Sequence, residues 1–461
     1  MNPIQAPNIS SRSPPVGRWQ HYKNLAKGFA KIVDSRESTY RLALDLTAFD
    51  LPTLGAEAFR GIWRFLEAGW EAGIGTFMVF AAPKITTWVA EFVSKYILSK
   101  EEQTHTNNYL RFNMSELSST SNMEKALQRI KNEEPKDQER ISKIYEEIGN
   151  KKYSEQYKNN ANNIKDFCSA FKPTEESRDK IYKLKRAVIL GESLIEGGVW
   201  GSFGLSLRFF RKYILGQERF TGTMGYTSNE ESSALGEGGE LTLAQKIFGT
   251  ATIFLSPVLN TILLKNTKDK KAVEKSGFLS IVDSHLDMTH GVFPKLGLLF
   301  TYTSVPKWAS TFITSQGWYE RLERVFKFLT IIPSWWLGHR ITNGILAMNA
   351  DKKLAKKYGV KEGILLKEEY LEPQDTKGLG FMEKLKYRYP EPARIHHVLD
   401  RVEKDSKNMN EETKKKFREE AEDLHAKTLY TGFALHSFLV WCITMLVNWS
   451  TKLRVKHALA K

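Results

Sequence analysis

The chain has 461 residues, with 68 Lys and Arg against 53 Asp and Glu, a net charge of +15, and two cysteines. That length allows several domains and a sizeable core. Two distant cysteines, Cys168 and Cys442, exclude a disulfide framework or a thiolate metal site and are read as reduced and inert. The basic balance favours an anionic partner.

Residues 1–30 open with Pro, Asn and Ser and lack a continuous apolar run, so they are expected to be a disordered lead rather than a secretory signal. A first helical repeat is expected over 31–117. Within it, Glu57, Arg60, Arg64, Glu67 and Glu71 form an i, i+3, i+4 ladder, the pattern of a solvated helix face. A polar helical insertion follows at 118–176, where Ile141, Ile144, Tyr145 and Ile148 place one apolar stripe on a helix and Pro135 and Pro173 punctuate the ends.

A second repeat is expected over 177–275. From Phe92 to Ile130 the chain aligns without a gap to Phe209–Ile247, with "KYIL" at Lys95 and again at Lys212. Upstream, "EAGWEAGI" from Glu67 returns as "ESLIEGGV" from Glu192. Collinear phrases point to a duplicated unit. A weaker third copy is read over 276–350, where "IVDSHLD" echoes "IVDSRES". The "KYIL" phrase is expected to close an amphipathic helix, and the small residues Ala72-Gly73 and Gly197-Gly198 to allow close helix approach.

Apolar segments at 247–264, 296–313 and 325–347 carry internal prolines, so each fits a kinked span, a re-entrant hairpin or an interfacial helix. A charged helical region is expected over 351–428, with a turn at "YRYPEPARIHH". Residues 429–451 contain no Asp, Glu, Lys or Arg. As a helix they would rise roughly 34 Å, enough to cross a hydrocarbon core of about 30 Å. Tyr430 and Trp449 lie near its ends, where interfacial rings are favoured. A basic tail occupies 452–461. Lysines at 265–275 and 352–357 follow two of the apolar segments and favour the cytoplasmic side. No sustained alternation supports a sheet. The expected fold is all-α: a membrane-associated helical protein with a duplicated unit and a C-terminal hydrophobic helix, resident in a membrane and not secreted.

The best candidates for an ion or partner site are Glu192 and Glu196, one helical turn apart inside an apolar, Gly-rich run, with Glu67 and Glu71 as their counterparts. Asp283, His285, Asp287 and His290 include metal-ligand types, and His285, Asp287 and His290 would carry a membrane-associated metalloenzyme. Their spacing does not align on one helix face. No phosphate loop, dinucleotide fingerprint or nucleophile elbow occurs, and no cofactor is expected. The Lys414–Lys416 run is flanked by glutamates, and no nucleic-acid module accompanies it. The leading expectation is a non-enzymatic membrane protein that binds anionic phospholipid or a protein partner; a transporter or pore using intramembrane glutamates is the alternative.

Overall fold

In the computed structural model, described residues are 18–35, 37–100, 102–103, 117, 123–217, 220–223, 241–267, 276, 278–279, 282, 288–289, 293–294, 300–315, 317–334, 338–368, 371, 384 and 387–460. They are helical apart from turns, extended links and a two-residue strand pair, β1 (Met288–Thr289) with β2 (Phe293–Pro294). The all-α expectation holds. The helices are α1 (Arg18–Ser35), α2 (Glu37–Asp45), α3 (Leu51–Ala58), α4 (Ile62–Ile97), α5 (Met123–Glu147), α6 (Lys151–Ala170), α7 (Glu175–Phe209) and α8 (Leu243–Asn266). After the strand pair come α9 (Val305–Thr314), α10 (Trp318–Pro333), α11 (His339–Tyr358), α12 (Ile395–Asp405) and α13 (Glu411–Leu459). Helix α1 occupies part of the stretch read as a lead.

Local chemistry explains many of the boundaries. Asn150 accepts from the Tyr153 amide at the start of α6, Thr174 from Ser177 at α7, and Asn410 from Thr413 at α13. Thr242 and Gln245 form a reciprocal capping box on α8. Gly359, at φ +66°, ends α11 in the left-handed conformation. Residues 123–170 form the α5–α6 hairpin, with the expected stripe buried through Ile141, Ile144 and Tyr145. Pro135 lies inside α5 rather than at an end. Each "KYIL" does close a helix: α4 stops at Ile97, and a π-helical turn, Phe210–Ile214, finishes α7.

Helix α4 and helix α7 run antiparallel. Glu67, near the start of α4, meets Arg211 just past the end of α7, whereas Ala90 and Leu98 pack with Leu184 and Val188. The close approaches fall away from the expected dipeptides. Gly73 and Gly198 face open space, but a Cβ on Gly191 would meet Val89, on Gly201 Ile253, and on Gly204 the Ser310 carbonyl.

Helix α13 has 49 residues, a rise of roughly 74 Å, and is long and apolar enough over part of its length to cross a membrane. Helix α8 passes the same test only as a bent pair, turning by 45° between Ser256 and Val258. The 325–347 segment is divided between α10 and α11 rather than forming one rod. Exposure divides the molecule in two. Large exposed apolar side chains stud residues 51–96, 194–214, 243–262, 318–345 and 435–459, and Leu25, Phe29 and Ile32 of α1 and Phe278 are exposed as well. Among the described residues, 123–190 carry none and 351–428 only Leu371. The second zone has its own core, in which Ile144, Leu354, Leu365, Ile395, Val398 and Phe417 bring α5, α11, α12 and α13 together.

Candidate functional site

The first zone is apolar outside and charged inside. Glu57 and Glu67 are completely buried, and Arg60, Arg64, Arg211, Glu320, Glu323 and Arg324 are buried with them. The ladder is therefore not a solvated face. It is also not one helix: the chain breaks at Arg60-Gly61, where Gly61 adopts φ +109° before α4 begins. This break turns Arg60 away from α4 toward α10, where it forms a two-pronged pair with Glu323 at 2.7 and 2.8 Å. Arg60 also donates to Asn448 of α13 at 2.9 Å and to the Gly222 carbonyl at 3.1 Å.

Glu67 is the hub. It accepts from Arg211 at 2.7 Å and from Thr221, and pairs with Arg64 at 3.1 Å and Arg324 at 3.4 Å. Arg324 reaches Glu71 at 2.6 Å, and Arg211 also holds Glu320 at 2.8 Å. Lys327 joins Glu57 to Glu323, 2.8 Å from the latter. Glu57, Glu67, Glu71, Glu320 and Glu323 thus face Arg60, Arg64, Arg211, Arg324 and Lys327, an even balance of charge. The buried Phe220 ring lies 5.6–5.7 Å from the guanidinium carbons of Arg60, Arg64 and Arg211, presenting its negative face to three cations. A buried charge is tolerable only when paired and hydrogen-bonded, and here every carboxylate has a cation.

Glu192 and Glu196 are buried in a different setting, on α7 where it packs against α4. Glu192 accepts a hydrogen bond from the buried Thr86 hydroxyl. The Oε1 of Glu196 and the Oγ of Ser193 are buried without a hydrogen-bond partner. Trp200 follows one turn later, and the Lys307 ammonium sits 5.2 Å from its ring centroid and 4.6 Å from that of Phe203. The two copies of the E-x-x-x-E phrase thus both lie in the interior, but the structure does not bring them to one place. Glu67 and Glu71 are tied into the ionic network, whereas Glu192 and Glu196 sit beside Thr86, Ser193 and Trp200.

His285, Asp287 and His290 lie outside the described residues. Of the remaining histidines, His396 and His397 begin α12, beside Asp137 of α5, and one ligand atom of each of the three lies within 4.8 Å of the others. Nearby Asp34 accepts from the Ile395 amide at 2.7 Å and Arg394 at 2.9 Å, and its other contact is the His425 Nε2 at 3.0 Å. Burial opposes its charge, but His425 and Arg394 hold the Asp34 carboxyl below the ordinary aspartate range. Asp34 thus caps a helix that starts 361 residues later. Burial pushes the Cys168 thiol up to about 11, an unreactive state.

No protein-family model matches the chain, and no curated protein or solved structure shows detectable similarity to it. The site must be read from its own chemistry.

Proposed function

We propose that the protein is an integral membrane protein: a helical bundle carrying a soluble head, which acts without catalysis by binding anionic lipid or a protein partner. The observation that carries this reading is the inverted distribution of the first zone. Phe77, Phe80, Trp88, Phe248, Phe254, Phe438 and Leu446 point outward while ten charged side chains pair inside. In water, such a surface would exceed the apolar patch a soluble monomer tolerates; in lipid it is the required exterior, with paired charges facing the bundle interior. Phe59, Trp63 and Trp449 are exposed and lie within three residues of Arg60 or Asn448 in the chain, where an interfacial aromatic belt would place them. The head, built on α5, α6, α12 and the first turns of α13, then lies on the opposite side from the C-terminal tail. Residues 429–451 are the crossing segment.

In this reading the two "KYIL" phrases mark a duplication. Support comes from their shared position, each closing a long helix that packs antiparallel to the other.

Membranes washed with alkaline carbonate should retain the protein, and release without detergent removes the proposal. Single cysteines at Arg129 and Lys456, in a background with Cys168→Ser and Cys442→Ser, should label from opposite sides.

A second reading is favoured by Glu196. A buried carboxylate with an unpartnered oxygen inside a membrane bundle is a binding point for a proton or a small cation. Reconstituted protein would then dissipate a proton or monovalent-cation gradient, and Glu196→Gln would abolish the flux. Proteoliposomes no leakier than empty liposomes dismiss this reading and leave the binding reading in place.

A further inference from the structure

We propose that Asp137, His396 and His397 form a binding site for a first-row divalent cation, Zn²⁺ being the best match, that pins the α5–α6 hairpin to α12. The three ligands come from two separate parts of the chain. Asp137 lies near the middle of α5, and the two histidines occupy the first turn of α12. The imidazole centroids are 4.2 Å apart, and His397 Nδ1 stands 3.9 Å from Asp137 Oδ1. That separation is too long for a direct hydrogen bond. It is close to the spacing of two ligand atoms on one tetrahedral ion, about 3.4 Å for bonds of about 2.1 Å.

An independent observation points the same way. His396 is only 8% exposed, and its Nδ1 is buried with no hydrogen-bond partner. Buried ring nitrogens are normally satisfied, so an orphan beside two other ligand groups calls for an unseen partner. His397 and Asp137 are more open, 41% and 25% exposed, which provides an entry path and room for a water in the fourth position. Two imidazoles and one carboxylate suit Zn²⁺ or its neighbours and disfavour Ca²⁺ and Mg²⁺, which take oxygen ligands.

The surroundings orient the ligands and also oppose the ion. Asp34 fixes the first turn of α12 through the Ile395 amide, so the histidine backbone is anchored before any metal arrives. Arg140 donates to Asp137 at 2.7 Å and pairs with Asp400 at 2.7 Å, holding the carboxylate in place. Its positive charge, with that of Arg394 and the α12 N-terminus, repels a cation. The result is a site of moderate affinity that Arg140 restrains.

The full chain, purified in detergent, stripped with EDTA and desalted, should take up one equivalent of Co²⁺. Binding would be read from the visible ligand-field bands, with Zn²⁺ displacing the ion. Asp137→Asn and His397→Ala, both at partly exposed positions, should abolish the bands while circular dichroism stays unchanged. His457→Ala, in the tail, should leave them intact. Arg140→Ala gives the sharper readout. If the site binds metal, removing the competing charge tightens binding roughly tenfold; if Arg140 only braces Asp137 and Asp400, there is no metal dependence to shift. No bands, or bands unchanged in Asp137→Asn and His397→Ala, overturn the proposal. Neither result depends on membrane insertion, so the proposal stands or falls apart from the one above.

Discussion

Two pairs of glutamates written with the same spacing, Glu67 with Glu71 and Glu192 with Glu196, are treated in opposite ways. Around Glu67 the interior supplies Arg64, Arg211 and Arg324, and the carboxylate is surrounded by cations. Around Glu196 it supplies Trp200, Ser193 and apolar packing, and one carboxylate oxygen meets no donor. The difference shows that burial alone does not define a functional acid. A charge-balanced network ties α3, α4, α10 and α13 to the end of α7, which is a structural task. Glu196 lies outside that network, with its Oε1 buried and without a donor.

The largest expected effect breaks the compensated side. Glu67→Gln would leave three guanidinium groups short of their shared anion, and removing one partner of a buried pair costs about 3–5 kcal/mol. Thermal unfolding in detergent should register that loss; a shift within error would mean that water or lipid headgroups reach the network. The companion double variant Arg60→Met with Glu323→Leu sharpens the point. It removes both partners, so it should recover much of the stability lost in Arg60→Met alone.

Asp34 is an intermediate case, a buried carboxylate with one arginine, one histidine and one backbone amide. Replacing it with Asn should cost about 2 kcal/mol, the range for hydrogen bonds to a charged group. Its folded pKa lies below the unfolded one, so the stabilisation is fully present above about pH 3.9 and is lost as pH falls through the folded value. Melting temperature against pH should therefore fall less steeply on the acid side in Asp34→Asn than in the parent.

Glu196→Gln is expected to have the smallest effect on stability, less than about 1 kcal/mol or a slight gain, because the amide removes a charge that no cation stabilises. A loss comparable to that of Glu67→Gln would show that Glu196 belongs to a second ionic network and would erase the contrast. Flux measurements on the same variant address its function separately.

Much of the architecture was legible from local chemistry. The Ile141–Ile148 stripe, the "KYIL" helix ends and the uncharged stretch at 429–451 rest on short-range pattern, whereas the caps at Asn150, Thr174, Thr242 and Asn410 came with the structure. The polarity of the Glu57–Glu71 ladder was misread for a specific reason. Alternating charges at i, i+3 and i+4 are normally solvated, and nothing within the ladder shows that cations arrive from elsewhere. Proline was misread at position 135, where an i to i−4 bond is lost without ending α5.

By itself, the sequence determined that the chain is helical and which stretch has the length and composition to cross a bilayer, because these depend on residues within a few turns of one another. Tertiary structure alone decided which carboxylates are compensated. Glu67 meets Arg211 across 144 positions and Arg324 across 257, and Glu57 meets Lys327 across 270. The charge state of a buried group depends on what surrounds it in space, and those neighbours are assembled by helix packing.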